Sequence, residues 1–167
     1  HGHSMGGFVL LKFSNLATSN IQYDKICGYI LESPLTCYSF IFEETIKQLF
    51  IPRLLVNHYW KRLRSHFNTV NPKLTSVEDI TEVDIPFWGS INNDLLLIQA
   101  EHDDVLGRRH YDRLVNVQSD LKENHFTFDE HLVPSLTHAQ SRKNIDRDVI
   151  IEDWVKERIH SDSLTSA

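Results

Sequence analysis

Apolar and polar residues follow one another along the chain in blocks that predict alternating helices and strands. Segment 8–18 carries apolar residues at the three- and four-residue spacing of a helix with one buried face. These residues are Val9, Leu10, Phe13, Leu16 and Ala17. Segment 25–34, KICGYILESP, is a short apolar run that ends at a proline, and segment 94–106 opens with the apolar run Leu95 to Ile98. Runs of this kind indicate buried strands.

The rest of the chain continues the alternation. Segment 38–67 has helical spacing, and Pro52 should end one helix there and start the next. Ser76, with acidic residues close behind it, predicts the start of a short helix over 76–83. A helix over 108–122, a more exposed strand over 125–133 and a closing helix over 144–159 follow. We expect the apolar residues of the closing helix to share one face: Ile145, Val149, Ile150, Trp154, Val155 and Ile159. This order predicts an α/β fold, with a mostly parallel sheet and helices on both of its faces.

The composition is that of a globular protein and narrows the range of functions. With 41% hydrophobic and 24% charged residues among 167, the chain makes one domain or part of one, predicted over 1–160 and followed by a disordered tail over 161–167. A formal net charge of −6 argues against a nucleic-acid partner. Cys27 and Cys37 form no metal-binding CxxC pattern and fit an intracellular protein, and we predict no metal and no cofactor. No apolar stretch approaches the roughly 20 residues that span a bilayer.

A serine framed by glycines stands at the start of the chain, in the sequence His1-Gly2-His3-Ser4-Met5-Gly6. A serine on a sharp strand-to-helix turn adopts a strained backbone. Glycines at the two flanking positions prevent side-chain clashes there, so that the hydroxyl projects freely. The helix that follows directs its N-terminus at the same point. We therefore predict that the backbone N–H of Met5 donates to a developing oxyanion.

Acidic residues follow the most apolar strand, and a histidine follows the last strand. Asp103 and Asp104 compete for the role of a carboxylate that orients a histidine. His138, between the last strand and the last helix, is predicted to be the base that reaches both the serine and the carboxylate. His125 and His131 are predicted to be ordinary residues of a strand or its edge. The chain order Ser, Asp, His is the one expected of the alpha/beta-hydrolase arrangement.

On these motifs the chain resembles the C-terminal half of the alpha/beta-hydrolases, and within them the lysophospholipid and monoacylglycerol lipase branch, which acts on lipids such as lysophosphatidylserine. GHSMGG matches the nucleophile elbow and SLTH the histidine loop, while GYILESPLT and LLLIQAEHDDVL are similar to segments of that branch. The resemblance runs from Gly2 to about Val155. It places the acid at the fourth residue counted from Ala100, which is Asp103. Members of this family often carry a proline a few residues after the acid, beyond a pair of valines. Here Gly107 occupies that region.

The resemblance implies a serine hydrolase that cleaves carboxylic esters of the lysophospholipid or monoacylglycerol type through an acyl-enzyme. Ser4 would be the nucleophile, His138 the base and Asp103 the acid that orients it. A peptidase or thioesterase of the same fold, and a non-catalytic hydrolase-like binding protein, remain alternatives. Because such enzymes carry further strands before the elbow, we expect the 167 residues to belong to a longer protein and to be inactive and poorly folded alone. For the full-length protein the resemblance implies a membrane surface or an upstream membrane anchor, at the endoplasmic reticulum.

The apolar segment 38–75 lies where this superfamily often places a cap. Several of its side chains could line an acyl-chain channel or touch a membrane surface. These are Phe40, Phe42, Leu49, Phe50, Leu54 and Leu55. The alternative is that the helices of this segment pack on the sheet and bury their apolar faces in the core.

Overall fold

A computed structural model of the chain describes residues 1–17, 26–70, 76–121, 126–138 and 143–165. Helices and strands alternate through these ranges, as the apolar pattern predicts. In chain order they are β1 (Gly2–His3), α1 (Met5–Ala17), β2 (Tyr29–Glu32), α2 (Tyr38–Gln48), α3 (Arg53–Val70), a 3₁₀ helix (Ile80–Val83), β3 (Leu95–Ala100), α4 (Arg108–Asp120), β4 (Phe128–Val133) and α5 (Ile145–Thr165). Pro52 stands directly before α3, as predicted. The α/β class is therefore confirmed.

The strands within the described ranges form one parallel sheet in the order β1-β2-β3-β4. Gly2 pairs with Leu31 of β2, Leu31 with Leu97 of β3, and Leu97 with Glu130 of β4. Every residue of β3 is buried, which confirms the strand predicted from its run of apolar residues. Because the strands are parallel, their carboxyl ends meet at one edge of the sheet, and the loops that follow β1, β3 and β4 all begin there.

Helices cover both faces of the sheet. On one face α1 and α4 pack against β2 and β3, in a core that contains Leu11, Leu97 and Leu114. On the other face α5 packs against β3 and β4, in a second core that contains Ile98 and Trp154. The side chains of β3 alternate between the two cores, because successive residues of a strand point to opposite faces.

The buried face of α1 matches the predicted one only in part: Ala17 is buried and Leu10 and Phe13 pack against the first core. Val9 and Leu16, which were expected to be buried, are 58% and 53% exposed. The buried stripe instead includes Gly7, Leu11 and Ser14. A pattern of apolar residues misses this stripe because it contains a glycine and a serine. Gly7 belongs to it because a Cβ there would come within 2.6 Å of the proline side chain after β2.

The last helix also departs from its prediction. Ile145, Val149 and Ile159 are 82%, 49% and 63% exposed, so the predicted apolar face is wrong at these three positions. Only the middle of α5 packs on the sheet, around Trp154. The helix continues to Thr165, into the tail that was predicted to be disordered over 161–167, and residues 166 and 167 lie outside the described ranges.

The short helix predicted over 76–83 is a 3₁₀ helix that begins later than expected. Its N-cap is Asp79 and not Ser76. The Asp79 carboxylate accepts a hydrogen bond from the N–H of Thr81 at 2.9 Å, and the Glu82 carboxylate accepts one from the N–H of Asp79 at 2.8 Å. This reciprocal capping fixes the start of the helix at the aspartate.

Helices α2 and α3 form a segment beside the sheet, and no residue of either helix is buried. They contact the first core through partly buried aromatic side chains such as Tyr38, Trp60 and Phe67. The start of α2 is held by Asp84, whose carboxylate accepts hydrogen bonds from the N–H of Ser39 at 2.9 Å and from its hydroxyl. Residues 71–75 of the predicted segment lie outside the described ranges. Each helix that the structure describes is too short or too polar to traverse a lipid bilayer.

Candidate active site

Ser4 lies on a tight turn between β1 and α1. Its φ angle is +52°, in the left-handed region that residues other than glycine rarely adopt. The Ser4 N–H donates to the carbonyl of Glu32 at 3.0 Å, and the Ser4 carbonyl accepts from the N–H groups of Gly7 and Leu35, both at 3.0 Å. A strained backbone persists only where its surroundings hold it, and such strain is concentrated at functional sites.

The glycines on either side of Ser4 have different roles, which corrects the prediction that both relieve a clash. A Cβ on Gly2 would lie 2.7 Å from the carbonyl carbon and oxygen of Gly6 and 2.8 Å from the nitrogen of Gly7. A Cβ on Gly6 would meet no other described part of the chain within 4 Å. Gly2 is therefore required by the close approach of β1 to the first turn of α1, whereas Gly6 points into open space.

The side chains of Ser4, Asp103 and His138 meet at the carboxyl edge of the sheet. His138 Nε2 lies 3.0 Å from Ser4 Oγ, and His138 Nδ1 lies 2.9 Å from Asp103 Oδ2. In a neutral imidazole the nitrogen that faces a carboxylate carries the proton, so Nε2 accepts a hydrogen bond from the serine hydroxyl. The structure therefore brings the three predicted residues together in the order hydroxyl, imidazole, carboxylate.

The loop after β3 surrounds the Asp103 carboxylate with hydrogen-bond donors. Its side chain is 1% exposed and accepts from the N–H groups of Val105 and Leu106 at 2.9 and 2.8 Å and from the amide of Gln99 at 2.9 Å. Burial alone would raise the pKa of Asp103. The hydrogen bonds from His138 and from the two backbone N–H groups outweigh burial and hold that pKa well below its ordinary value. Asp103 is thus a carboxylate and not a carboxylic acid at neutral pH.

The other acidic and histidine candidates do not belong to the hydrogen-bonded series, although His3 lies beside it. Asp104 is exposed, and the described hydrogen bonds to His138 do not include it. His131 is an exposed residue of β4, in agreement with its predicted role, and His125 lies outside the described residues. His3 is a close neighbour of the site, with its ring centroid 4.9 Å from that of His138. Burial lowers the pKa of His3.

Met5 begins α1 immediately after Ser4. The N–H of a first helical residue has no partner inside the helix, and the main-chain bonds recorded between described residues do not use that of Met5. The N-terminus of a helix also carries a partial positive charge. An oxyanion that formed on a carbonyl bound at Ser4 would find this donor beside it, and the role of Met5 in catalysis stays a prediction.

A buried ion pair beside the triad is not among the residues predicted from the sequence. Glu32, at the end of β2, is 1% exposed, and its carboxylate oxygens lie 3.1 and 3.2 Å from Nη1 of Arg147 and 3.1 Å from Nε2 of His1. Burial would raise the pKa of Glu32, but the hydrogen bond with His1 and the charge of Arg147 outweigh it and lower that pKa. A glutamate at the end of an apolar strand and an arginine in a helix are the only sequence signals of this pair, and neither indicates that the two meet.

The residues predicted to bind an acyl chain fall into two groups. Phe40 lines a cavity of about 400 Å³ between α2 and the loop after β3, and Phe42 and Leu49 line one of about 290 Å³ between α2 and α3. The remaining three line neither cavity and are exposed: Phe50 by 91%, Leu54 by 94% and Leu55 by 45%. Neither cavity is lined by Ser4, so the role of the whole group in acyl binding stays a prediction.

Comparison with known proteins leaves the interpretation of the site to its geometry. The chain matches no protein-family model, no curated protein and no solved structure.

Proposed function

We propose that this chain carries the catalytic residues of a serine hydrolase of the alpha/beta-hydrolase fold. The observation that carries the proposal is the hydrogen-bonded series from Ser4 Oγ to His138 Nε2, at 3.0 Å, and from His138 Nδ1 to Asp103 Oδ2, at 2.9 Å. Two further observations support it. The strained turn at Ser4 joins a strand to a helix, and the three residues follow the chain order of that fold.

In the proposed reaction Ser4 Oγ attacks the carbonyl carbon of an ester while His138 Nε2 takes the proton of the hydroxyl. The oxyanion that forms accepts a hydrogen bond from the N–H of Met5. Collapse of this intermediate releases the alcohol, which leaves with the proton from His138, and an acyl group remains on Ser4. Water, deprotonated by His138, then releases the carboxylic acid. Asp103 keeps the proton on Nδ1 and stabilises the imidazolium in both halves of the reaction.

We propose lipid-like carboxylic esters of the lysophospholipid or monoacylglycerol type as the substrates. Support comes from the resemblance of segments 28–36 and 95–106 to that branch of hydrolases and from the apolar α2–α3 segment beside the Asp103 loop. A peptidase or thioesterase with the same site would cleave amides or thioesters in preference, and a binding protein would cleave none of the three. A panel of matched ester, thioester and amide substrates therefore separates these classes.

The test of the mechanism uses three variants of the full-length protein. In Ser4→Ala we expect ester turnover and labelling by a fluorophosphonate both to be lost. In Asp103→Asn we expect kcat to fall by about 10⁴-fold, the loss that follows when the orienting carboxylate of a serine-protease triad becomes an amide. Asp104→Asn is the matched control, because the exposed neighbour does not contact the imidazole, and it should retain the parental rate. Turnover and labelling that persist in Ser4→Ala would refute the proposal.

A further inference from the structure

A second series of hydrogen bonds, separate from the triad, joins the Ser4 turn to the region of His138. It begins at Glu32, whose carbonyl accepts from the N–H of Ser4 at 3.0 Å. The carboxylate of the same residue is bound by Nη1 of Arg147 at 3.1 and 3.2 Å. Glu32 thus holds the backbone of the serine turn through its main-chain carbonyl, and it holds α5, the helix that contains Arg147, through its side chain.

Arg147 continues the series towards His138. It lies in the first turn of α5, is 8% exposed, and donates its backbone N–H to the side chain of Asn144 at 2.9 Å. The amide of Asn144 in turn donates to the carbonyl of Ser135 at 2.9 Å. Ser135 belongs to the loop that leaves β4 and leads to His138. The start of α5 is therefore bonded both to the carboxyl end of β2 and to the histidine loop.

We propose that Glu32 and Arg147 are positioning residues that keep His138 within hydrogen-bonding distance of Ser4. This proposal rests on the hydrolase function proposed above. Asp103 orients the imidazole from the loop after β3, whereas the Ser4 hydroxyl is carried by the turn after β1. The Glu32–Arg147 pair joins β2, the strand beside the Ser4 turn, to α5, the helix that follows the loop of His138. In this way the pair sets the distance between Ser4 and His138.

The competing role for a buried ion pair is stability alone, and the two roles can be separated. Removing one partner leaves the other as an uncompensated buried charge, which strongly destabilises a protein. Removing both and filling the space with neutral side chains of similar volume is often neutral or stabilising. If the pair acts only on stability, the double variant should therefore have the parental reaction rate. If the pair positions the catalytic residues, the double variant should remain slow even when its stability is restored.

The experiment compares Glu32→Gln, Arg147→Met and the double variant in the full-length protein. Unfolding temperature, kcat and KM for a monoacylglycerol ester, and the rate of fluorophosphonate labelling are measured for each. We expect both single variants to unfold at lower temperature and the double variant to recover the parental unfolding temperature. In the double variant kcat and the labelling rate should stay lower by about 10- to 100-fold, the range expected for a misplaced catalytic group, while KM is unchanged.

The matched control removes an exposed ion pair from the same helix, Glu152 and Lys156, 2.6 Å apart. Glu152→Gln/Lys156→Met should leave kcat and the unfolding temperature at parental values. If the buried double variant does not fold, Arg147→Lys replaces it, because lysine keeps the charge but not the guanidinium. Its unfolding temperature should stay close to the parental value while kcat falls.

The outcomes separate this proposal from the function on which it rests. If kcat recovers together with the unfolding temperature in the double variant, or stays at the parental value in Arg147→Lys, the pair is structural only and the proposal is overturned. If the folded parent neither hydrolyses esters nor labels, the proposed function fails. Crystal structures of the parent and the double variant then decide the positioning role. A longer distance from Ser4 Oγ to His138 Nε2 in the variant supports it, and an unchanged distance overturns it.

Discussion

The contact between β1 and the first turn of α1 makes Gly2 the most sensitive position of the serine turn. A methyl group there would lie 2.7 Å from the backbone of Gly6 and 2.8 Å from the nitrogen of Gly7. Both neighbours are main-chain atoms, so no side chain can rotate away to make room. We therefore expect Gly2→Ala to push the strand and the helix apart and to carry Ser4 with them.

The size of the effect follows from the distances. The contacts of the new methyl group must lengthen from 2.7 Å to at least 3.4 Å, where ordinary van der Waals contact begins. Overpacking of this kind lowers the free energy of unfolding by about 1–3 kcal/mol. A displacement of the nucleophile that approaches 1 Å lowers the rate by about 10²-fold. Gly6→Ala is the matched control, because its methyl group would meet nothing within 4 Å. Its helical position should instead gain about 0.5–1 kcal/mol.

The assay is the second-order rate of Ser4 labelling by a fluorophosphonate, measured beside thermal unfolding for both variants of the full-length protein. Gly2→Ala should label about 10²-fold more slowly than the parent even where it is fully folded. Gly6→Ala should label at the parental rate and unfold at a higher temperature. A parental labelling rate in Gly2→Ala, or equal damage from both substitutions, would show that the backbone contact does not set the position of the nucleophile.

Three further predictions concern the buried residue His110 and the exposed residue Leu54. Nδ1 of His110 accepts hydrogen bonds from the N–H groups of Thr36 and Cys37 at 3.1 and 3.4 Å. His110→Ala should therefore lower the free energy of unfolding by roughly 1–3 kcal/mol for each N–H left unsatisfied. His110→Asn keeps an acceptor and should lower it less. Burial lowers the pKa of His110 from 6.5 to about 4. Between these two pH values the unfolded state binds a proton that the folded state does not, so the free energy of unfolding should fall as the pH drops from about 6.5 towards 4. Chemical denaturation should show this fall, and the fall should be weaker in His110→Asn. Leu54→Ser removes an exposed side chain of α3 and should change the free energy of unfolding by less than about 0.5 kcal/mol. If it also leaves the ratio of kcat/KM for long-chain over short-chain esters unchanged, Leu54 does not contact the acyl chain.

The order of the elements could be predicted because burial in this fold follows the spacing of apolar residues. β3 is buried along its whole length, and its first four residues, Leu95 to Ile98, are an apolar run. Pro52 stands directly before the first residue of α3, where its fixed φ suits the start of a helix, whereas α2 already ends at Gln48. The edge of the sheet where the site lies could be predicted for a related reason, whereas the choice of Asp103 over Asp104 rested on the family resemblance. Ser4, Asp103 and His138 each follow a strand, and a parallel sheet brings the carboxyl ends of its strands to one edge.

Other features depend on tertiary contacts that a linear pattern does not contain. The stripe of α1 that faces the sheet includes Gly7 and Ser14, whose burial follows from close packing and not from hydrophobicity. Gly107 has φ of +72°, an angle that excludes the proline common in this region of the resembled family. Glu32 and Arg147 lie 115 residues apart, and nothing local pairs them. Features of this kind can be found only once the helices have been placed on the sheet.

The serine turn itself combines both kinds of information. Ser33, in the turn after β2, also has a positive φ of +40°, so two strained residues stand next to each other at the edge of the sheet. The N–H of Ser33 donates to Ile98 of β3 at 2.8 Å, and the N–H of Leu35 donates to Ser4 at 3.0 Å. Each such residue costs about 1–3 kcal/mol and persists only if the surrounding structure imposes it. The strand pairing and these bonds supply that restraint. The presentation of Ser4 therefore depends on the turn after β2 as directly as on the glycine that precedes it in the motif.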